Sequence, residues 1–383
     1  MTPPSGTLTD IDRAGATGRE IAQQPAMWRQ VAADLASHRE ALHDFLGPLL
    51  ARDDLRIVLT GAGTSAFAGD LLAPALTGRL RRRVDTVATT DIVSNPAEAF
   101  AEDLPTLLVS FARSGDSPES VAATVLADRF LGSVHHLIVT CNPDGELAKT
   151  HGAAERSYVL LMPPATNDAG FAMTSSFTSM VLATWLALAP GAGEAETAER
   201  LADAGTAVLR DHADAVAGLA ARGYQRIVYL GSGPLTALAR ESALKVLELS
   251  AGSIVSFFDS ALGFRHGPIS VIDGHSLAIV YLSGDPYTRR YDEDIAVELR
   301  SRMGVGNVVV VAAKPSGRLD PVWLVPGLDD APDVLAALPF VLVAQLFAVG
   351  TSLSLGLTPD SPFPSGEVNR VVKGVTVHPY DER

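Results

Sequence analysis

The sequence predicts an α/β protein made of two tandem doubly wound parallel-sheet, three-layer αβα sandwiches, with a helical segment before them and a tail behind. Three observations predict it. RIVLTGAGTSAFAGD (56–70) and RIVYLGSGPLTALARE (226–241) share an apolar strand, a small-residue turn and a helical pattern at an offset of 170 residues, and an internal repeat of this kind sets the architecture. LLVSFARSGDSPES (107–120) is echoed by LAIVYLSGDPYTRR (277–290), which pairs Ser114-Gly115-Asp116 with Ser283-Gly284-Asp285 at an offset of 169. The strands themselves are short, continuous apolar runs between helical stretches, the pattern of a parallel sheet buried on both faces.

Residues 1–50 precede the first copy and read as helix from Thr17 through Leu50, with Pro25 as a start or a kink. The first domain spans 51–190, with strands at Ile57 to Leu59, Leu107 to Val109 and Leu137 to Val139. The composition break at 191–205 is the expected linker. The second domain spans 206–358, with strands at Ile227 to Leu230, Leu277 to Leu282 and Val308 to Val311. Parallel neighbours need crossovers, usually helices. Residues 359–383 are rich in Pro and Gly and lack periodicity, so they are expected as a tail lying over the domains.

Composition narrows the function. The net charge of −14 repels a phosphate backbone and argues against nucleic acid as a partner. The first residues have no signal-peptide pattern. Val334 to Leu357 comes closest to a membrane span, but Gln345, Gly350, Thr351, Ser352 and Ser354 make a buried helix the better reading. Cys141 is the single cysteine, so neither a disulfide framework nor a cysteine metal cluster is expected, and the cytoplasm is the natural address. No metal site, membrane partner or cofactor is expected.

GAGTSAFAGD (61–70) follows a strand and opens a helix, which presents amides suited to an anion or serves the fold alone. It lacks both the Gly-x-Gly-x-x-Gly spacing of a dinucleotide site and the Gly-Lys-Ser/Thr ending of a nucleotide-triphosphate loop. ARSGDSPES (112–120) is a second such turn, where Ser114, Ser117 and Ser120 add hydroxyls at a helix start. It reads either as an N-cap or as half of a phosphate cradle. Two such loops at the carboxyl edge of one sheet favour phosphate.

Glu241, Lys245 and Glu248 stand at i, i+4 and i+7 and so share one helix face. That face is a solvated ion-pair surface or the lining of a cleft, and its place directly after the second glycine turn favours the cleft. His266 in GFRHGP sits between glycines, where bulky neighbours cannot cover it, and an imidazole titrates near neutrality. With Glu248 in the same pocket it would supply the two proton-transfer groups of sugar ring opening and enolisation. Lys373 in NRVVKGVTVHPY is solvated or, on a tail folded over a cleft, a Schiff-base amine.

Taken in order, GAGTSAFAG, RSGDSPES, ARESALKVLELSAG, FRHGP and VNRVVKGVTV resemble the double sugar-isomerase (SIS) domain proteins over about residues 17–380. TGREIAQQPAMW and PSGEVNRVVKGVTVHPY resemble the AgaS-type branch, the galactosamine-6-phosphate deaminase/isomerases and tagatose-6-phosphate ketose/aldose isomerases. The likeness to the isomerase half of glucosamine-6-phosphate synthase implies roles for several residues. Gly63, Thr64 and Ser65 with Ser114 and Ser117 would hold the phosphate, and Glu248 would move a proton between C1 and C2. His266, delivered from the neighbouring subunit of a homodimer, would open the ring. Lys373 would be the Schiff-base lysine, with Glu241 and Lys245 near the sugar.

The chain departs from that pattern at Ala112-Arg113-Ser114, where the synthase has Ser-Gln-Ser. It loses a hydroxyl and gains a guanidinium that can pair with phosphate. No glutaminase domain fits before residue 50, so deamination or plain isomerisation is expected, not amination from glutamine. A non-catalytic sugar-phosphate sensor is the alternative, which has no reason to keep Glu241, Lys245, Glu248, His266 and Lys373 together.

Overall fold

The computed structural model describes residues 10–191, 193–372 and 374–380. In chain order the helices are α1 (Asp10–Arg13), α2 (Gly15–Leu50), α3 (Thr64–Leu80), α4 (Thr89–Ser94), α5 (Pro96–Ala99), α6 (Pro118–Phe130), α7 (Glu146–His151), α8 (Ser175–Leu188), α9 (Glu194–Asp211), α10 (Ala213–Ala220), α11 (Pro234–Leu249), α12 (Thr288–Met303) and α13 (Asp333–Ser354). The strands are β1 (Arg56–Thr60), β2 (Val84–Thr86), β3 (Thr106–Ala112), β4 (Val134–Thr140), β5 (Ser157–Leu161), β6 (Arg226–Leu230), β7 (Val255–Asp259), β8 (Ser276–Tyr281), β9 (Val308–Ala312) and β10 (Trp323–Leu324). They form two compact units. The first holds Ala26–Asn167, Ser175–Arg200 and the chain from Val368 onward; the second holds the chain through Pro25, Asp168–Thr174 and Leu201–Glu367.

Each unit carries one five-stranded, all-parallel sheet, ordered β2-β1-β3-β4-β5 in the first and β10-β9-β8-β6-β7 in the second. Read from the far edge, the second order is the first repeated, so the offset seen in the sequence is a repeated topology. The sequence reading found three strands of each sheet and missed β2, β5, β7 and β10. These lie on the edges, where β2 and β10 are only 3 and 2 residues long and β7 is partly exposed along its length. β2 (VDT) and β7 (VSFFD) carry no long apolar run, whereas β5 (SYVLL) does and was passed over.

Alternation along the strands puts helices on both faces. In β1, Val58 joins the cluster formed with Ile92, Leu108, Ala123 and Ala127 under α4 and α6. Its neighbour Leu59 meets Gly69 of α3, where an added Cβ would approach the Leu59 Cβ to 3.1 Å. In the second unit Val228, Leu230, Ala278 and Val280 pack against Ile295, Ala296 and Leu299 of α12. Tyr281 points to the other face, stacks on Phe340 of α13 and shares a 2.8 Å hydrogen bond with Ser242 of α11.

α13 is long and apolar enough to cross a membrane, and its apolar stretch is wholly buried. α2 runs unbroken through Pro25. Proline removes the amide that would bond the Ile21 carbonyl, and the Gln24 side chain donates to that oxygen instead, at 3.2 Å. The start of α2 is capped from far along the chain: the Asp360 carboxylate accepts from the amides of Ala16 (2.8 Å) and Thr17 (2.7 Å). The stretch 191–205 is helical from Glu194 onward, as the beginning of α9.

Candidate active site

In the first unit β1 leads to β2 on one side, and β3 pairs with β1 on the other, with Thr60 opposite Ser110. The loops after β1 and β3 therefore leave adjacent strands at a point where the strand order reverses, the crevice in which open α/β sheets bind ligands. Gly61 is required by a close approach: a Cβ there would lie 2.6 Å from the Ser65 carbonyl carbon. Gly63 has φ 56° and ψ −129°, a region essentially closed to other residues. Its carbonyl receives the amides of Ala66 (2.9 Å) and Phe67 (3.1 Å), which starts α3. Thr64 and Ser65 are buried at that helix start.

The second loop is built by reciprocal bonds. The Asp116 amide donates to Ser114 Oγ at 3.3 Å, Asn142 Nδ2 donates to the Ser114 carbonyl at 2.8 Å, and the Glu146 amide donates to Asp116 Oδ1 at 2.9 Å. Ser117 stands at the N-cap of α6 without a side-chain capping bond. Arg113 is buried, and its guanidinium donates to the Arg370 carbonyl at 2.7 Å. Arg370 in turn donates to Asn167 Oδ1 at 3.2 Å, and Arg129 donates to the Tyr380 carbonyl at 2.7 Å. The tail thus sits on the first unit on both sides of Lys373, which itself lies outside the described residues.

The second unit brings Glu241, Lys245 and Glu248 together on α11. Lys245 Nζ lies 3.2 Å from Glu241 Oε1 and 2.7 Å from Glu248 Oε2. Glu241 and Lys245 are completely buried, whereas the Glu248 side chain keeps 23% of its exposure. Burial pulls the Lys245 ammonium toward neutrality, but the two carboxylates outweigh it, so its pKa is raised. A solvated ion-pair surface is therefore ruled out for two of the three residues. Of the triplet, Glu248 alone keeps part of its side chain exposed.

His266 ends a single 3₁₀ turn after β7, with its amide donating to the Gly263 carbonyl at 2.9 Å, and it is exposed. Among the described contacts it makes none with Glu248.

Sequence reasoning overlooked two carboxylates, Asp292 and Asp333. Asp292 Oδ1 accepts from Ser232 Oγ at 2.5 Å and Oδ2 from the Ser283 amide at 2.9 Å. Asp333 accepts from Ser283 Oγ at 2.5 Å and from the Gly284 amide at 2.7 Å. Burial pushes Asp292 up to about 6, helped by the Asp333 charge, and raises Asp333 as well. The available signal was Asp292 standing where the repeat offset places Ala123.

Two five-stranded parallel sheets of one topology, with paired Gly- and Ser-bearing turns at the strand-order reversal, define a sugar-isomerase-type α/β protein. The model of the SIS domain matches residues 49–190. The chain is 58% identical over 386 residues to an AgaS protein of Streptomyces coelicolor, covering all of both chains. It is 45% identical to D-galactosamine-6-phosphate deaminase AgaS of Escherichia coli, covering 96% of this chain and 97% of that one. The crystal structure of tagatose-6-phosphate ketose/aldose isomerase from Escherichia coli superposes with a TM-score of 0.89 at 41% identity over the whole of both chains. The chain belongs to the AgaS family of SIS-domain proteins.

Proposed function

We propose that this chain converts galactosamine 6-phosphate and water to tagatose 6-phosphate and ammonia. The observation that carries the reading is the α11 face, where a buried Glu241–Lys245 pair fixes the partly exposed carboxylate of Glu248. A positioned carboxylate of this kind suits proton transfer between adjacent carbons. In the proposed sequence the ring opens to the aldehyde and Glu248 takes the proton from C2. Returning it to C1 leaves an imine at C2, which water hydrolyses to the ketose and ammonia.

The phosphate is assigned to Gly63, Thr64, Ser65, Arg113, Ser114 and Ser117, at the strand-order reversal of the first sheet. Ring opening is assigned to His266, whose exposure supports delivery to a neighbouring subunit in a homodimer. Lys373 is assigned to the carbonyl, as the lysine between the two tail anchors. The relatives' names, deaminase and isomerase, fit the same proton transfer.

The test is ammonia release from galactosamine 6-phosphate and glucosamine 6-phosphate side by side, with ketose phosphate followed in the same samples. Ammonia in step with ketose from the galacto epimer is expected. A second reading, plain ketose/aldose isomerisation, is favoured by the likeness to the tagatose-6-phosphate isomerase structure. Turnover of tagatose 6-phosphate without ammonia from either amino sugar would select it.

A further inference from the structure

The second unit repeats the anion-binding geometry of the first. Gly233, at φ 57° and ψ −129°, starts α11 just as Gly63 starts α3. A Cβ at Gly231 would meet the Leu235 carbonyl oxygen at 2.6 Å, as one at Gly61 meets Ser65. Ser283-Gly284-Asp285 follows β8 as Ser114-Gly115-Asp116 follows β3, and β6 and β8 flank the strand-order reversal of the second sheet.

The chemistry at that reversal differs. Four donors that would face an oxyanion are already engaged by the chain's own carboxylates: the Ser232 hydroxyl and Ser283 amide by Asp292, the Ser283 hydroxyl and Gly284 amide by Asp333. At the matching positions among the described residues of the first unit, neither acid recurs. Ala123 occupies the place of Asp292 at the repeat offset, and Ser175 opens α8 as Asp333 opens α13. A carboxylate and a phosphate compete for the same amides and hydroxyls, and a buried carboxylate repels an incoming dianion.

We infer that the second unit's copy of the phosphate cradle is closed by Asp292 and Asp333, so that the chain takes a single phosphate, on the first unit. The location on the first unit rests on the proposed function; the closure of the second does not.

The experiment is equilibrium dialysis of the full-length chain against inorganic phosphate at saturation. The wild type is expected to bind one phosphate per chain. An Asp292→Ala/Asp333→Ser variant, which frees the Ser232 and Ser283 hydroxyls and the Ser283 and Gly284 amides, is expected to bind one more. Two phosphates on the wild type would overturn the inference, as would an unchanged count in a folded double variant. No phosphate on the wild type with one on the double variant would sink the first-unit assignment and uphold the closure. Should the double variant fail to fold, Asp333→Ser alone frees the Ser283 hydroxyl and Gly284 amide, and an unchanged count in that folded single variant counts against the closure in the same way.

Discussion

Lys245 holds Glu248 at 2.7 Å from within the core of the second unit, and its other neighbour, Glu241 at 3.2 Å, has no exposure at all. The pairing separates structural work from chemical work on one helix face. Removing the cation takes from the buried Glu241 its ion pair with Lys245, so Lys245→Met is expected to cost about 3–5 kcal/mol of stability. The Glu241→Gln/Lys245→Met double variant should recover much of that loss in a thermal melt. Glu248→Gln is expected to melt close to the wild type while losing roughly 10²–10⁴-fold in turnover, the usual worth of a positioned general base. Full turnover by Glu248→Gln would mean that another group moves the proton.

The glycine turns of the two units allow fold and binding to be told apart. Gly61→Ala and Gly231→Ala both force a Cβ to within 2.6 Å of backbone four residues on, so each should destabilise its unit by about 1–3 kcal/mol. Only Gly61→Ala is expected to weaken phosphate binding, because the second cradle is filled. Equal loss of phosphate affinity in both variants would contradict a single open site.

How much of this was legible beforehand depended on the range of the interaction. The repeat could be read because Gly61, Gly63, Gly231 and Gly233 answer to backbone only a few residues away, so their spacing is written locally. The α11 triplet could be read as one face because helical spacing is also local, although its burial could not. Asp292, Asp333 and Asp360 meet their partners across 9 to 344 positions of sequence. Nothing near them in the chain marks them as anything but surface acids. His136 and His151 are a similar case: a buried pair of rings with centroids 4.6 Å apart, joined only by the packing of α7 on β4.

Acid should act in opposite senses on the two units. Burial, aided by the nearby His136 ring, lowers His151 to about 4 from an ordinary 6.5, with Asp128 opposing. Between those values the unfolded chain binds a proton that the folded first unit refuses, so stability there falls as the pH drops from about 6.5 toward 4. Asp292, facing Ser232, Ser283, Asp333 and Arg289, titrates near 6 when folded against an ordinary 3.8. There the folded form binds the extra proton, and the second unit gains stability as the pH drops from about 6 toward 4. Each slope is at most about 1.4 kcal/mol per pH unit. Hydrogen exchange, corrected for intrinsic rates, should show protection falling in β4 and rising in β8 over this range. His151→Gln should flatten the first trend and Asp292→Asn the second; parallel trends in both strands would refute the assignment.

Arg113 ties the loop assigned to the phosphate to the tail, through its 2.7 Å bond to the Arg370 carbonyl. A buried guanidinium bonded to a backbone oxygen contributes more than a neutral bond does, about 1.5–3 kcal/mol. Arg113→Ala is therefore expected to speed tryptic cleavage after Arg370 by roughly tenfold or more, and to raise KM for the sugar phosphate at the same time. Arg113→Lys separates the two effects, because it keeps a charge beside the loop but lacks the planar fork that reaches both partners. It should hold KM near the wild-type value while kcat falls, if the tail brings Lys373 to the substrate. An unchanged cleavage rate in Arg113→Ala would show that the tail is seated by its other anchors, Arg370 on Asn167 and Arg129 on Tyr380, and would leave Arg113 to the phosphate alone.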